Sequence, residues 1–227
     1  MTAWLVHLYT ASGAVVALLA AVATSEGRFR DAFAWLWLAV AIDATDGLAA
    51  RWFDVRRRLP WFDGGTLDNV VDYLTYVFVP ALVVWRVPLV PPALALPVGA
   101  AVLLASAYGF SRADAKTDDH FFTGFPSYWN VVVFYQLAAG WSPVANAVLL
   151  TVLAGLVFVP VRYVYPSRTP HLRGLTVALG AVWALSMLEM LRELPDVHPV
   201  LLWLSLGFPV YYVCLSLWLQ GRRRSIA

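Results

Sequence analysis

The chain contains few charged residues and a single cysteine. Of its 227 residues, 13% are charged and 61% are hydrophobic, whereas about a quarter of the residues in a typical soluble domain are charged. No polar stretch is long enough to form a separate soluble domain. Cys214 cannot form an intramolecular disulfide, because the chain has no second cysteine. The composition therefore excludes a disulfide-stabilised secreted domain and a metal site built from several thiolates.

Apolar runs close to the length of about 20 residues that crosses a bilayer recur along nearly the whole chain. We predict an all-α, polytopic membrane helix bundle with about eight transmembrane helices, in which residues 1–227 form one integral-membrane domain. The N-terminal run lacks the basic flank of a signal peptide and is predicted to be the first span. The predicted spans are 4–23, 32–50, 66–85, 92–110, 127–139, 144–161, 175–191 and 200–219. The fifth is short, so six or seven spans remain open if it is re-entrant.

Basic residues are concentrated in alternate connections. If the N-terminus is cytoplasmic, twelve of the 16 basic residues lie in cytoplasmic segments, and the opposite side holds only Arg28, Arg30, Arg86 and Arg192. Cytoplasmic connections of membrane proteins carry such an excess of arginine and lysine. The bias predicts an even number of spans with both termini on the cytoplasmic side. It also places the connection between the second and third spans on that side.

Four aspartates lie in or beside the second and third predicted spans. A carboxylate at bilayer depth costs roughly 2.5 to 3.5 kcal/mol, so four of them require a compensating partner. Residues three, four or seven apart share one face of a helix. This spacing gives two stripes: Asp43, Asp46, Gly47 and Ala50 in the second span, and Gly64, Asp68 and Asp72 in the third.

Two helices joined by a short connection are antiparallel neighbours, so the two stripes can face each other. Converging carboxylates repel unless they are protonated or neutralised, and hard divalent cations with oxygen ligands neutralise them. Neither stripe contains histidine or cysteine, which favours Mg²⁺ or Mn²⁺ over zinc. We predict that two such ions clamp a diphosphate, with Arg51 hydrogen-bonded to a phosphate oxygen. The predicted metal ligands are Asp43, Asp46, Asp68 and Asp72.

Two other interpretations of these aspartates remain open. Carboxylates inside membranes also serve as proton relays in transporters, although a relay does not account for glycines at the same helical phase in both stripes. Alternatively, the aspartates pair with Arg51 and with the arginines at 56–58 as a purely structural network. The arginines at 56–58 also satisfy the positive-inside bias by themselves.

The segment from Asp43 to Asp72 reads D-x-x-D-G-x-x-A-R and then G-x-x-x-D-x-x-x-D. This pattern resembles the signature of the CDP-alcohol phosphotransferases, integral membrane enzymes that displace CMP from a CDP-linked lipid with an alcohol. All eight signature positions match, and the one departure is a longer connection from Arg51 to Gly64. Wider stretches, namely VHLYTASG, LPWFDG, DYLTYVFVPA and FPSYWN, are similar to the bacterial phosphatidylcholine synthases within that family.

The resemblance implies a six-helix core with two additional helices in a bacterial inner membrane, with the active site on the cytoplasmic side. It also implies that CDP-diacylglycerol reacts with choline, that CMP is released, and that Asp72 is the base for the choline hydroxyl. The residues implied at the CDP site are Gly47, Ala50, Arg51, Gly64 and Thr10. Serine, inositol or glycerol phosphate as acceptor stays open, and a homodimer is compatible with the sequence. Nothing in the sequence predicts nucleic-acid binding.

Choline carries a quaternary ammonium group, which cannot donate hydrogen bonds, so its recognition should rest on aromatic faces. Tyr73 and Tyr76 follow the acidic stripe of the third span. Tyr128 and Trp129 open the fifth predicted span, next to a polar connection at 111–120 that we expect to be a solvated loop. We predict that Tyr128 and Trp129 bind choline. Most other aromatic residues are expected in the core or at the membrane interface.

Overall fold

The computed structural model of the protein describes residues 2–115, 117, 121–165 and 172–224, and for residues 222–224 the description covers the backbone alone. Residues 116 and 118–120 of the predicted solvated loop lie outside these ranges. Within the described residues, six helical segments are long and apolar enough to cross a membrane: Thr2–Ser25, Phe29–Trp52, Gly64–Arg86, Pro92–Ser111, Arg173–Glu193 and Pro199–Gly221. Large apolar side chains such as Leu8, Leu18 and Leu104 face outward from them, as in a surface that contacts lipid. The chain is a polytopic helical membrane protein.

The helices are α1 (Thr2–Ser25), α2 (Phe29–Trp52), α3 (Val55–Arg58), α4 (Gly64–Asp72), α5 (Val79–Arg86), α6 (Pro92–Ser111), α7 (Trp129–Ala139), α8 (Pro143–Leu156), α9 (Arg173–Glu193), α10 (Pro199–Ser205) and α11 (Gly207–Arg224). A π-helical segment, Tyr73–Phe78, joins α4 to α5. Strands β1 (Phe121–Thr123) and β2 (Arg162–Val164) pair antiparallel. The all-α prediction is confirmed for the bundle, and this short ribbon is an unpredicted addition.

Helices α7 and α8 are shorter than the spans predicted in their place. At 1.5 Å per residue, the 11 residues of α7 and the 14 residues of α8 extend about 17 and 21 Å, whereas the hydrocarbon core of a bilayer is about 30 Å thick. Helix α7 is enclosed by protein, with Phe134 and Gln136 fully buried. It packs on α5, and α8 packs on α6. Six of the eight predicted spans therefore have a helix of spanning length.

Two prolines account for irregular turns in the predicted spans. The predicted span 200–219 divides at Leu206 into α10 and α11, because Pro209 has no backbone N–H to donate to the carbonyl of Ser205. Likewise, Pro80 cannot donate to the carbonyl of Tyr76, four residues earlier. In the π-helical segment, the N–H of Val79 donates to the carbonyl of Leu74 instead. This widened turn directly follows Asp72.

The connection between α2 and α4 is fixed at two points. Val55 of α3 is buried against Ala3 and Val6 of α1. The carboxylate of Asp63 caps α4 by accepting hydrogen bonds from the N–H groups of Gly65 and Thr66 and from the hydroxyl of Thr66. The bonds from Thr66 lower the pKa of Asp63. These contacts hold the first turn of α4 beside α1.

Gly13 of α1 allows the close approach of α4. A Cβ atom at Gly13 would lie 2.5 Å from Cγ1 of Val71, and a β-branched helical side chain has little rotamer freedom with which to move away. We expect Gly13→Ala to lower the thermal unfolding midpoint in detergent, through overpacking of about 1–3 kcal/mol. Gly155→Ala in α8 is the control, because no atom lies within 4 Å of a Cβ there. Equal midpoints for the two variants would contradict the packing described.

Candidate active site

Three of the four predicted metal ligands converge. Asp43 of α2 and Asp68 and Asp72 of α4 each offer a carboxylate oxygen, and these oxygens lie within 4.8 Å of one another. All three residues are partly buried. The expectation that the two acidic stripes face each other is confirmed for these residues. Because carboxylate oxygens are the ligands that Mg²⁺ and Mn²⁺ prefer, this acidic group could hold a metal ion.

Asp46 lies one turn further along α2 and is more deeply buried than Asp43. Its Oδ2 atom accepts a hydrogen bond of 2.8 Å from the hydroxyl of Thr10 in α1. Asp46 is not among the three carboxylates that converge. Thr10, predicted at the CDP site, also orients this carboxylate.

A cavity of about 920 Å³ lies between α1, the C-terminal part of α2 and the N-terminal turns of α4. We call it the glycine cavity. Its walls contain two arginines, Arg51 and Arg56. A Cβ atom at Gly64 would lie 2.9 Å from Cε1 of His7, so the glycine allows that imidazole to approach the backbone of α4. The lining includes Asp46, Asp68 and all five residues predicted at the CDP site: Gly47, Ala50, Arg51, Gly64 and Thr10.

A second cavity, of about 480 Å³, shares Asp68 with the glycine cavity. We call it the aromatic cavity, because its walls contain the rings of Tyr76, Phe110, Phe122, Phe125, Tyr128 and Tyr165. Asp43, Asp68 and Asp72 also line it. Asp68 lines both cavities. The acidic group therefore lies where the two cavities meet.

The structure separates the two residues predicted to bind choline. Tyr128 lines the aromatic cavity. Trp129 is fully buried, and its indole Nε1 donates to the hydroxyl of Ser106 at 2.7 Å. Its ring packs against that of Phe125, with centroids 5.0 Å apart. Trp129 thus belongs to the core and is not among the residues that line the cavity.

Tyr73 and Tyr76, the two tyrosines that follow Asp72, form hydrogen bonds to different helices. The hydroxyl of Tyr76 donates to Oδ2 of Asp43 at 2.8 Å, and its ring centroid is 6.1 Å from that of Tyr128. The hydroxyl of Tyr73 donates to the carbonyl of Leu103 in α6 at 2.9 Å. Of the two, only Tyr76 lines the aromatic cavity.

Several residues at the aromatic cavity were not predicted. The centroids of Phe122 and Tyr165, on the two connections that form the β1–β2 ribbon, lie 4.8 Å apart. A strand of three residues shows too little alternation of apolar and polar residues for its pairing to be predicted from the sequence. Asp63 lines both cavities, and the sequence signal that could have identified it is an aspartate directly before a helix, a preferred N-cap.

Arg112, just after α6, lines the aromatic cavity but is already paired. Its Nε and Nη2 atoms donate to the two carboxylate oxygens of Asp114 at 2.8 and 2.6 Å. These hydrogen bonds lower the pKa of Asp114 and raise that of Arg112. Among the described residues that line this cavity, Arg112 is the one basic residue, and four residues are aspartates. The cavity is electrostatically suited to a cation.

No protein-family model matches the chain, but whole proteins do. It is 39% identical over 221 residues to the phosphatidylcholine synthase of Legionella pneumophila, covering 94% of this chain and 87% of that protein. It is 36% identical over 220 residues to the phosphatidylcholine synthase of Pseudomonas aeruginosa, covering 97% and 92%. The phosphatidylcholine synthase of Agrobacterium fabrum is 39% identical over 181 residues, covering 80% and 75%.

Proposed function

The chain belongs to the phosphatidylcholine synthase family, and from this premise we propose that it transfers the phosphatidyl group of CDP-diacylglycerol to choline and releases CMP. Family membership makes it an enzyme of phospholipid biosynthesis, a phosphatidyltransferase that acts on choline. The observation that carries the proposed reaction is the junction of the two cavities. A cavity with arginines and a cavity with tyrosines meet at one acidic group.

We assign the CDP moiety to the glycine cavity. A diphosphate requires positive charge. Arg51 and Arg56 line this cavity together with four aspartates, so the two arginines and a divalent cation held by the aspartates would supply that charge. Guanidinium groups form charge-assisted hydrogen bonds to phosphate oxygens, often in pairs. Gly47 and Gly64 also line the cavity, and the lack of a side chain at Gly64 lets the imidazole of His7 approach its backbone closely. The two arginines support this assignment.

Choline is assigned to the aromatic cavity. The faces of Tyr76 and Tyr128 can contact a trimethylammonium group, and each desolvated cation–π contact contributes about 2 kcal/mol. An acceptor that carries a phosphate, such as glycerol phosphate, would instead need an available cation. Arg112 is engaged by Asp114, so the cavity favours choline over a phosphorylated acceptor.

The acidic group fits Mg²⁺ or Mn²⁺ by its oxygen-only donor set. We propose that Asp43, Asp68 and Asp72 hold a divalent cation, and that Asp46, which lines the glycine cavity beside Asp68, completes a site for two ions. When bound, such ions would withdraw charge from the diphosphate and stabilise CMP as the leaving group.

Asp72 lines the aromatic cavity and not the glycine cavity. A base for the acceptor must reach the acceptor's hydroxyl, so we propose that the carboxylate of Asp72 takes the proton of the choline hydroxyl. The hydroxyl oxygen then bonds to the phosphorus that carries diacylglycerol. The bond from this phosphorus to the bridging oxygen breaks, and CMP leaves with that oxygen, while Arg51 donates a hydrogen bond to its phosphate.

We propose that residues 1–227 form one domain that crosses the bacterial inner membrane eight times, with both termini and both cavities on the cytoplasmic side. The distribution of basic residues supports this orientation. The crossings number eight if α7 and α8 each traverse the bilayer, and six if they form a re-entrant pair. Both numbers are even, which keeps the two termini on the same side.

Tyr128→Ala should raise the KM for choline about 10-fold or more, because removal of one cation–π face costs about 2 kcal/mol. The KM for CDP-diacylglycerol should stay within a factor of about two, since Tyr128 does not line the glycine cavity. Tyr128→Phe is the control, because it keeps the ring. Steady-state kinetics with each substrate varied in turn measures both constants. Equal rises in the two KM values for Tyr128→Ala would reject Tyr128 as a choline contact.

The acceptor can be tested with a panel of alcohols. Purified protein is incubated with CDP-diacylglycerol, Mn²⁺ and choline, serine, inositol or glycerol phosphate, and CMP release is measured. We expect CMP release with choline and none with the other three alcohols. Release with another alcohol and none with choline would assign a different acceptor, and no release with any alcohol would favour the transporter interpretation.

A further inference from the structure

We infer that Tyr76 is a positioning residue that links the acidic group to the aromatic cavity. Its hydroxyl fixes the carboxylate of Asp43, while its ring forms part of the cavity wall. This inference deepens the proposed function and rests on it for the identity of the acceptor. The positioning of Asp43 rests on the contacts alone.

Tyr76 extends the acidic stripe of the third span. It follows Asp68 and Asp72 at the same spacing of four residues, but it lies in the π-helical segment and not in α4. Single π-helical turns inside α-helices occur frequently at functional sites. The side chain is 9% exposed, so its hydroxyl is enclosed and requires a hydrogen-bond partner within the protein.

The partner of Tyr76 lies on a different helix. The hydroxyl reaches Oδ2 of Asp43, 33 residues earlier in α2, at 2.8 Å. It thereby connects α2 with the helix that supplies Asp68 and Asp72. A hydrogen bond to a carboxylate in a low-dielectric environment is stronger than the same bond in water. The bond restrains rotation of the Asp43 carboxylate, whose oxygen must stay near those of the two other aspartates.

Residues that hydrogen-bond to metal ligands fix the orientation of those ligands, and their loss typically lowers metal affinity about 10- to 100-fold. Asp46 has a comparable partner in Thr10. Asp43 and Asp46 are therefore each held by a hydroxyl from another helical segment. Tyr76 differs from Thr10 because its ring also lines the cavity assigned to choline.

The test compares Tyr76→Phe with Tyr73→Phe in the full-length protein. Both variants lose one phenolic hydroxyl from the same segment, but Tyr73 donates to a backbone carbonyl of α6. Mn²⁺ affinity is measured by titration, from the electron paramagnetic resonance signal of free Mn²⁺. We expect the dissociation constant to rise about 10-fold or more in Tyr76→Phe and to stay within about two-fold in Tyr73→Phe.

The two roles of Tyr76 are separated by kinetics. Tyr76→Phe keeps the ring, so the KM for choline at saturating Mn²⁺ should stay within a factor of about two, whereas Tyr76→Leu should raise it about 10-fold. The thermal midpoint of each variant without metal shows whether folding is affected.

Wild-type Mn²⁺ affinity in Tyr76→Phe would overturn the positioning role. This holds even if the thermal unfolding midpoint of the metal-free variant falls. An unchanged KM for choline in Tyr76→Leu would overturn the role of the ring. If wild-type protein binds Mn²⁺ but releases no CMP with choline, the proposed function fails, while the affinity comparison still decides whether Tyr76 positions Asp43.

Discussion

Replacing Asp68 by alanine is expected to lower kcat/KM at least about 1000-fold, equivalent to about 4 kcal/mol of transition-state stabilisation. Asp68 is one of three converging carboxylates and lines both cavities. Its removal takes away a ligand at the point where the diphosphate and the acceptor are proposed to meet. The measurement is steady-state CMP release at saturating Mn²⁺, with Mn²⁺ affinity determined in parallel.

The control for this variant is Asp31→Ala. Asp31 lies in the first turn of α2, is exposed, and pairs with Arg28, so turnover should stay within a factor of about two. Wild-type turnover and Mn²⁺ affinity in Asp68→Ala would contradict the metal site.

The second large effect is expected for Asp72→Asn. If Asp72 is the base, kcat should fall about 100- to 10,000-fold, the usual contribution of general acid–base catalysis. Both KM values should change little, because the amide has the size of the carboxylate. Mn²⁺ affinity should fall less than in Asp68→Ala, since the amide retains one oxygen that can face the ion.

The pH profile distinguishes a base from a metal ligand. A catalytic base is active only when deprotonated, so log kcat of the wild type should fall as the pH is lowered through the pKa of the base in the enzyme–substrate complex. Asp72→Asn should lack this acid limb at saturating Mn²⁺. Full turnover by Asp72→Asn with intact Mn²⁺ binding would show that Asp72 is not the base.

The sequence predicts the acidic group well because the signal is local. Spacings of three and four residues determine which side chains share a helical face, and a short connection makes two helices neighbours. These two facts are sufficient to bring Asp43, Asp68 and Asp72 together. The CDP-site residues were implied by the family resemblance and not by spacing, and they line one cavity.

The aromatic cavity is predicted less completely because its residues come from distant segments. Phe122 and Tyr165 meet through a ribbon of three-residue strands, which leaves no periodic pattern. Tyr128 and Trp129 were both assigned to choline because they follow a polar connection and lie in the FPSYWN stretch, but neighbouring residues at a helix start point in different directions. Tyr76 forms its bond to Asp43 from a π-helical segment, and helical spacing in the sequence does not show such a segment.

The number of spans was predicted from the length of apolar runs, and this criterion does not decide whether a short, enclosed helix crosses the bilayer. Helix α7 packs inside the protein, so its backbone and side chains are shielded by other helices and do not need to match the bilayer thickness. The division of the last predicted span at Leu206 could have been predicted, because Pro209 is visible in the sequence and removes a helical hydrogen bond.

The central claim is that choline attacks the phosphatidyl phosphorus and CMP departs in the same reaction. The most direct measurement follows CMP and phosphatidylcholine together, from CDP-diacylglycerol and labelled choline, with purified protein and Mn²⁺. We predict that the two products form in equal amounts and that neither forms when choline or Mn²⁺ is omitted. CMP release without choline, or choline-dependent CMP release without labelled phosphatidylcholine, would contradict the account.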